Sequence, residues 1–195
     1  MKIYLVRHGE TDWNREGRLQ GRTDIPINQH GISQMERIGD YMADSGYRID
    51  KMITSPLQRA GMSAEIIASR TGYEQSRIIV EPLFTERSFG DAEGTVWTAG
   101  MCLDNGKYGE ESVEELCGRA AAGIEKYIAG ENGNILIVAH GAILKALIVA
   151  LTKGEIAYTD RSVVIEQGSI LCIQYEDGKA YLQPENVCKV NRIVI

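Results

Sequence analysis

The sequence predicts an α/β fold, a three-layer α/β/α sandwich whose central sheet is mostly parallel and has an antiparallel edge strand. Short apolar runs alternate along the chain with stretches in which apolar residues recur at helical spacing, the pattern of strands alternating with helices. Two of these runs, residues 3–6 and 135–139, contain only apolar or aromatic residues, as buried strands do. Near the C-terminus, Asp177-Gly178 joins two further runs in a turn typical of an antiparallel hairpin.

Composition indicates an ordinary globular chain and excludes several classes of function. The 195 residues are 44% hydrophobic and 25% charged. Because no Pro/Ser-rich linker divides them, we expect one domain over residues 1–195. The net charge of −6 argues against nonspecific binding to nucleic acid or to an anionic membrane. No apolar stretch reaches membrane-spanning length, and the run at residue 3 is too short for a signal peptide.

The cysteines favour a reducing compartment. Their positions, 102, 117, 172 and 188, form neither a CxxC pair nor a metal-ligand spacing. We therefore expect reduced cysteines and a cytoplasmic protein. The expected partner is a small molecule, which can be anionic if arginines converge on its site.

The first strand ends in Arg7-His8, at the edge of the sheet where open α/β folds hold their ligands. The polar loop that follows, residues 9–28, is long for a compact domain, and loops of this length are usually functional. A helix is predicted over residues 30–44. This prediction rests on the helical spacing of Ile32, Met35, Ile38 and Met42.

The second strand, Lys51–Thr54, leads directly into another helix. Ser55 is expected to cap this helix, with Pro56 in the first helical position and Gln58 completing a capping box. Arg59 lies outside the apolar stripe, in the opening turn, where the positive end of the helix dipole favours anions.

Residues 78–80 predict a third strand, and Glu86 follows it between Phe84 and Phe89. We expect these aromatic neighbours to desolvate the carboxyl group, which favours the protonated form that a general acid needs. Residues 91–111 predict an irregular cover segment. It carries three large apolar side chains, Trp97, Met101 and Tyr108.

The remaining elements complete the alternation. A capping box at residues 112–115 begins a helix. The strand over 135–139 ends at His140, and an almost wholly apolar helix over 142–151 follows it. The terminal hairpin is predicted over residues 170–175 and 179–182. The sequence leaves open whether this hairpin is a free sheet edge or the interface of a homodimer.

Five chemically useful side chains fall at strand ends or in the first turns after them: Arg7, His8, Arg59, Glu86 and His140. Two guanidiniums can hold the oxygens of a phosphate monoester. One neutral imidazole can attack phosphorus and form a phosphohistidine, while the other donates to the phosphoryl oxygens. Glu86 can protonate the leaving alkoxide and then activate water. The residues alone leave open which histidine attacks.

Metal and cofactor signatures are missing from the sequence. It contains no recognisable metal site, Walker loop or dinucleotide-binding glycine motif. We therefore expect a reaction that uses neither a metal ion nor a cofactor.

Four motifs, in order, give the chain a family resemblance. They are Leu5-Val6-Arg7-His8-Gly9-Glu10-Thr11 with Trp13-Asn14, Ser55-Pro56-Leu57-Gln58-Arg59-Ala60, Glu86-Arg87-Ser88-Phe89-Gly90 and Ala139-His140-Gly141. Together they resemble the histidine phosphatase superfamily, the phosphoglycerate-mutase-like group, and specifically its small phosphatases. The resemblance implies that His8 is the phosphorylated nucleophile and Glu86 the proton donor. It also implies a phosphate pocket built from Arg7, Asn14, Gln20, Gly21, Arg59, His140 and Gly141.

These motifs do not identify the substrate, since the family contains both phosphatases and mutases. Glu86 and His140 are only 54 positions apart, which suggests a shorter cover than in the mutases. Arg22 and Arg87 are candidates for binding a second anionic group, whereas the apolar residues of the cover suit a less charged leaving group. We favour a phosphatase of small organic monophosphates such as sugar phosphates or ribazole phosphate. The alternatives are a cofactor-dependent phosphoglycerate mutase and an inactive phospho-ligand-binding protein.

Overall fold

The computed structural model describes residues 1–130, 133–160, 162 and 165–189, and its centre is a six-stranded sheet. The strands are β1 (Lys2–Arg7), β2 (Lys51–Thr54), β3 (Ile79–Val80), β4 (Ile135–Ala139), β5 (Ser169–Glu176) and β6 (Lys179–Lys189). Their order across the sheet is β3-β2-β4-β1-β5-β6. The first four are parallel, and the β5–β6 hairpin runs antiparallel along one side of β1.

Helices cover both faces of this sheet, which confirms the predicted α/β/α sandwich. They are α1 (Asp12–Arg15), α2 (Gln29–Asp44), α3 (Gln58–Thr71), α4 (Val113–Ile128) and α5 (Gly141–Leu151). Residues of α2 and α3 pack on one face, in a core with Tyr4, Val6 and Val138. Residues of α4 and α5 pack on the other face, in a core with Leu5, Ile137 and Phe84. Alternate residues of β1 and β4 enter opposite cores, as the strand period requires.

The register of the central strands brings three polar residues to one edge. Arg7 is level with Ala139 in the β1–β4 pair, and Thr54 is level with Val138 in the β2–β4 pair. The residues immediately after these strands are His8, Ser55 and His140, so they emerge side by side at the carboxyl edge of the sheet. The N–H of His8 still donates to the Ala139 carbonyl at 3.0 Å, which extends the ladder by one residue.

The predicted start of α3 is wrong. The helix begins at Gln58, with Leu57 in the capping position and no side-chain cap from its own segment. Asp24 of the first loop accepts the Gln58 N–H at 2.8 Å instead. The hydroxyl of Ser55 accepts the Leu57 N–H at 3.3 Å and also meets His140, so it holds the bend between β2 and α3. The capping box predicted for α4, between Ser112 and Glu115, is present.

In the described ranges, no helix is both long enough and apolar enough to cross a membrane.

Candidate active site

A cavity of about 220 Å³ opens at the carboxyl edge of the sheet. Eight residues singled out in the sequence line it: Arg7, His8, Asn14, Gln20, Gly21, Arg59, Glu86 and Gly141. His140 lies directly behind them, with its ring centroid 5.1 Å from that of His8. The strand ends therefore bring together all five candidate chemical groups, as expected from parallel strands.

His8 is held through one ring nitrogen. Its Nδ1 lies 2.7 Å from the carbonyl oxygen of Gly9. Because a carbonyl only accepts hydrogen bonds, Nδ1 carries the proton in the neutral ring, and Nε2 is left with its lone pair. Burial lowers the pKa of His8 well below the ordinary value, and the charges of Arg59 and Arg7 lower it further. The ring is therefore neutral near pH 7.

His140 is held through both ring nitrogens. Arg59 Nε donates to its Nδ1 at 3.1 Å, so the ring proton lies on Nε2, which contacts Ser55 Oγ at 2.7 Å. Burial is again the main cause of a pKa well below the ordinary value, with the Arg59 charge next. Both histidines are thus neutral, but the ring proton lies on Nδ1 in His8 and on Nε2 in His140.

Arg59 lies in the first turn of α3 and is almost fully buried, with 1% of its surface exposed. Beyond its bond to His140, its terminal nitrogens donate to the carbonyls of Thr23 at 2.9 Å and Gly21 at 2.7 Å. A guanidinium has five N–H groups. Among the contacts of the described residues, two of the five are left for a ligand. Arg59 therefore holds the first loop in place and keeps donors available to the cavity.

Arg7 leaves β1 beside the N-terminus of α5. Its Nη1 donates to the Ile165 carbonyl at 3.1 Å. Its Nε is buried and has no hydrogen-bond partner in the part of the chain that the structure describes. An unpaired buried donor on a cation is costly, which makes it a natural contact for an incoming anion. Burial lowers the pKa of both Arg7 and Arg59, yet guanidiniums remain charged at any ordinary pH.

Glu86 is buried, as predicted, and its carboxyl oxygens accept three hydrogen bonds from backbone N–H groups. Backbone N–H groups of Arg87 and Ile143 donate to Oε1 at 2.9 and 3.1 Å, and that of Ala142 donates to Oε2 at 3.2 Å. Two of these donors belong to the first turn of α5, which has no side-chain cap from His140. Glu86 thus caps α5 from another element.

The first loop closes the cavity from the side. Thr11 and Asn14 form the capping box of α1, with the Asn14 side-chain oxygen accepting the Thr11 N–H at 3.1 Å. Gln20 is 7% exposed, and its side-chain oxygen has no hydrogen-bond partner among the described residues. Gly21 has φ +53° and lies against the carboxylate of Glu93, which also accepts the N–H groups of Arg22 and Thr23.

Five residues that the sequence suggested for specificity lie away from this cavity. The guanidinium of Arg87 is turned into the cover segment, where it donates to Leu103, Asp104 and Glu111. Arg22 is exposed, with Nη2 3.5 Å from Glu111 Oε1. The other three, Trp97, Met101 and Tyr108, do not line the cavity either. The irregular backbone of the cover gave no period from which their directions could be predicted.

Four residues that line the cavity were not predicted as site residues: Arg18, Leu19, Phe89 and Ala142. Arg18 is paired with Glu16 at 2.6 Å and donates to the Gly94 carbonyl at 2.8 Å. Ser55 was missed as a site residue as well, because its sequence context matches a helix cap. Its position directly after a strand was the available signal.

The charges of the site favour an anion. Two buried guanidiniums and two neutral imidazoles face one carboxylate, so the cavity carries a net positive charge inside a protein whose overall charge is −6. Among the described residues, no group of three or more His, Cys, Asp or Glu side chains is arranged to hold a metal ion.

Comparison with known proteins identifies the family. The model of the histidine phosphatase superfamily (branch 1) matches residues 3–187. The uncharacterised phosphatase PhoE of Bacillus subtilis is 41% identical over 156 residues, 78% of each chain. A probable phosphoglycerate mutase, GpmB of Enterobacter sp., is 31% identical over 192 residues, 91% of this chain and 86% of its own.

A solved structure resembles the fold closely. It is the phosphoserine phosphatase of Entamoeba histolytica in complex with 3-phosphoglyceric acid, which is 26% identical. It superposes with a TM-score of 0.75 over 93% of this chain and 94% of that one. From a family model that spans nearly the whole sequence, together with these relatives, the chain belongs to the histidine phosphatase superfamily.

Proposed function

We propose that this protein is a phosphatase that hydrolyses small organic phosphomonoesters through a phosphohistidine on His8, without a metal ion. The observation that carries the proposal is the difference between the two histidines. His140 uses both ring nitrogens in hydrogen bonds, whereas His8 keeps Nε2 unprotonated and without a partner among the described residues. A nucleophile needs such a lone pair.

The phosphate group of the substrate binds between the two guanidiniums. Arg7 offers an unpaired buried Nε, and Arg59 offers the N–H groups that its carbonyl partners do not use. Asn14 turns its oxygen towards Thr11, which leaves its amide N–H groups for the anion. Rotation of the Gln20 amide presents an N–H in place of its unpaired oxygen. These donors stabilise the charge that spreads over the phosphoryl oxygens in the transition state.

Transfer then takes place in two steps. The Nε2–P bond of His8 forms as the bond between phosphorus and the leaving oxygen breaks, and this oxygen takes a proton from Glu86. Water next attacks phosphorus, the N–P bond breaks, and Glu86 takes the proton that the water loses. Inorganic phosphate leaves, and both side chains return to their starting states.

Glu86 must be protonated before the first step. Three backbone N–H groups hold its two carboxyl oxygens in place. A substrate that arrives as a monoanion brings the proton that Glu86 passes to the leaving oxygen.

The substrate is inferred from the cavity and from one relative. A volume of about 220 Å³ suits a phosphate on a short carbon skeleton. The phosphoserine phosphatase of similar fold binds 3-phosphoglyceric acid, which supports small phosphorylated metabolites as the substrate class. Arg18 lines the same cavity and lies outside the phosphate-binding pair, so it can meet a carboxylate on the leaving group.

A phosphoglycerate mutase is the second candidate, favoured by the similarity to GpmB. A mutase must hold phosphoglycerate by its carboxylate and transfer the phosphoryl group to a hydroxyl group of the same molecule before water attacks. Arg87, one candidate for holding a second anionic group, is bound by three partners within the cover segment. The phosphatase PhoE is also more similar to this chain than GpmB, at 41% against 31% identity, which supports the phosphatase over the mutase.

The test is phosphate release in the presence of a chelator. The panel includes 3-phosphoglycerate with and without 2,3-bisphosphoglycerate, phosphoserine, sugar phosphates and p-nitrophenyl phosphate. We expect release from small monoesters that survives chelation and is abolished in His8→Ala. The matched control is His30→Ala, which changes an exposed histidine of α2 and should remain active.

Three results would contradict the proposal. Full activity in His8→Ala would exclude the nucleophile. Isomerisation of phosphoglycerate with little phosphate release would make the protein a mutase. Tight binding of the panel without turnover would indicate a phospho-ligand-binding protein.

A further inference from the structure

The turn that carries Glu86 is organised by one arginine outside the cavity. Arg119, on α4, donates to the carbonyl oxygens of Leu83 at 2.7 Å, Thr85 at 2.6 Å and Glu86 at 3.1 Å. These carbonyls belong to the segment between β3 and the cover, which begins with a 3₁₀ turn over Pro82–Phe84. One side chain thus supplies hydrogen bonds to three backbone carbonyls of this turn.

The remaining donors of Arg119 go to Glu111. Nε lies 2.6 Å from Oε1 and Nη2 lies 2.9 Å from Oε2, a bidentate pair. All five N–H groups of the guanidinium are therefore in use, three on the turn and two on the carboxylate. The two side chains are only 14% and 9% exposed. Such a planar arrangement is specific to arginine, since an ammonium group has three donors and no fork.

Glu111 holds the same turn from its other end. The N–H of Glu111 donates to the Ser88 carbonyl at 3.0 Å, and the Ser88 N–H donates back to Oε2 at 3.3 Å. Its own carbonyl accepts Nε of Arg87 at 2.7 Å. The backbone before and after Glu86 is consequently hydrogen-bonded to the ion pair of Arg119 and Glu111, which is largely buried.

Neither member of the pair lines the cavity, so neither contacts the substrate. Glu86 is instead fixed at two points that come from different elements. The first turn of α5 holds its carboxylate oxygens, and Arg119 holds its carbonyl. Displacement of the Glu86 carboxyl group by roughly 1 Å is enough to slow proton transfer about 100-fold, because the rate depends steeply on the geometry of the reacting groups.

We propose that Arg119 and Glu111 are positioning residues for the proton donor, acting on catalysis through the backbone of Glu86. This inference rests on the proposed function, since it assumes that Glu86 protonates the leaving group. Phosphate binding and attack by His8 use other groups, which lie at the ends of β1 and β4, on α3 and in the first loop, so we expect substitution of the pair to affect these steps little.

Leaving groups separate this role from a structural one. An alkoxide needs a proton to depart, whereas p-nitrophenolate is a stable anion and departs without one. In Arg119→Lys we expect kcat/KM for an alkyl phosphate, which reports formation of the phosphoenzyme and not its hydrolysis, to fall about 10- to 100-fold. The fall in kcat/KM for p-nitrophenyl phosphate should be no more than about 3-fold. Glu111→Gln keeps the shape of its side chain and should show the same selectivity to a smaller degree.

A double mutant tests whether Arg119 acts through Glu86. In the Glu86→Gln background, Arg119→Lys should cause no further loss on the alkyl phosphate, because the acid is already gone. The control is Arg70→Lys, which changes a surface arginine of α3 paired with Glu36 and Asp40 and should leave both substrates unaffected. Urea denaturation of each variant verifies that it is folded, and Glu111→Gln carries the test if Arg119→Lys is not.

The outcomes distinguish this inference from the proposed function. Equal losses of kcat/KM on both substrates, no loss at all, or a further loss in the Glu86→Gln background would overturn the role of Arg119. Equal losses of kcat/KM in Glu86→Gln itself would overturn Glu86 as proton donor, and with it the proposed mechanism.

Discussion

Nε of Arg59 donates a hydrogen bond of 3.1 Å to Nδ1 of His140, and this contact gives the two histidines of the site different tautomers. It places the proton of His140 on Nε2, next to Ser55, whereas His8 keeps its proton on Nδ1, next to the Gly9 carbonyl. Arg59 also holds the loop carbonyls of Gly21 and Thr23. One guanidinium therefore fixes a tautomer, holds the loop and lines the cavity with its positive charge.

Ser55 should contribute to catalysis through His140. In Ser55→Ala the ring loses its partner at 2.7 Å and is free to rotate about its remaining bond to Arg59. We expect kcat/KM to fall about 10-fold, as for loss of an orienting hydrogen bond of about 1.4 kcal/mol. Steady-state kinetics on one monoester measure this. The control, Ser33→Ala, removes a hydroxyl that bonds within α2, and an equal fall there would contradict the prediction.

Arg18 should distinguish substrates by charge. In Arg18→Ala we expect KM to rise about 10-fold for phosphoserine or 3-phosphoglycerate, because a charge-assisted contact to their carboxylate is lost. The KM of an alkyl phosphate whose leaving group has no carboxylate should not change. Comparison of KM values in the two classes tests the prediction, with Arg15→Ala as the control for removing an exposed, acid-paired arginine of the same loop. A uniform rise in KM would show that Arg18 is not selective.

Gly31 should be intolerant of a side chain. A Cβ there would lie 2.7 Å from the backbone nitrogen of Glu10, in the contact that seats α2 against the loop after β1. Gly31→Ala should therefore lower the free energy of unfolding by about 1–3 kcal/mol, as overpacking does. Gly118, on the open face of α4, has nothing within 4 Å of such an atom. Gly118→Ala should raise the free energy of unfolding by about 0.5–1 kcal/mol. Urea denaturation of both variants measures the expected decrease and increase.

Acidification should destabilise the protein through its buried histidines. The folded pKa of both His8 and His140 is well below the ordinary value, so between the folded and unfolded pKa values the unfolded chain binds more protons. Their contribution to stability is complete above about pH 7. It is lost progressively as the pH falls from about 6.5, the unfolded pKa, towards the lower pKa of the folded protein. The slope approaches about 1.4 kcal/mol per pH unit for each histidine.

Urea denaturation between about pH 7.5 and about pH 5.5 measures this slope, above the range in which ordinary carboxyl groups titrate. The variant His8→Gln removes one titrating ring, so its slope should be smaller than that of the unmodified protein. An identical slope in the two proteins would contradict the assignment to buried neutral histidines.

Local patterns predicted the parts of the site that depend on strand ends. Arg7, His8 and His140 follow uninterrupted apolar runs, and parallel strands bring such ends together. Arg59 was placed correctly in the first turn of its helix, although its burial was not evident from one turn of sequence.

Groups that work across long distances in the chain were missed or misassigned. Ser55 matched a helix cap, but its main partner is His140, 85 positions away. Arg119 lies in a helix whose apolar pattern explained its fold completely, while its carbonyl partners are 33 to 36 positions earlier. Arg87 lies in an irregular segment, where the direction of a side chain depends on tertiary contacts and not on a periodic pattern in the sequence.

The most direct measurement is the location of the phosphoryl group in a trapped intermediate. Glu86→Gln should accept phosphate from p-nitrophenyl phosphate and release it slowly, since water is no longer activated. Peptide mapping of the quenched protein by mass spectrometry should then find an acid-labile phosphate on His8 and none on His140. Phosphate on His140, or a variant that turns over at the normal rate with no phosphoenzyme at any time, would contradict the central claim that His8 is the nucleophile.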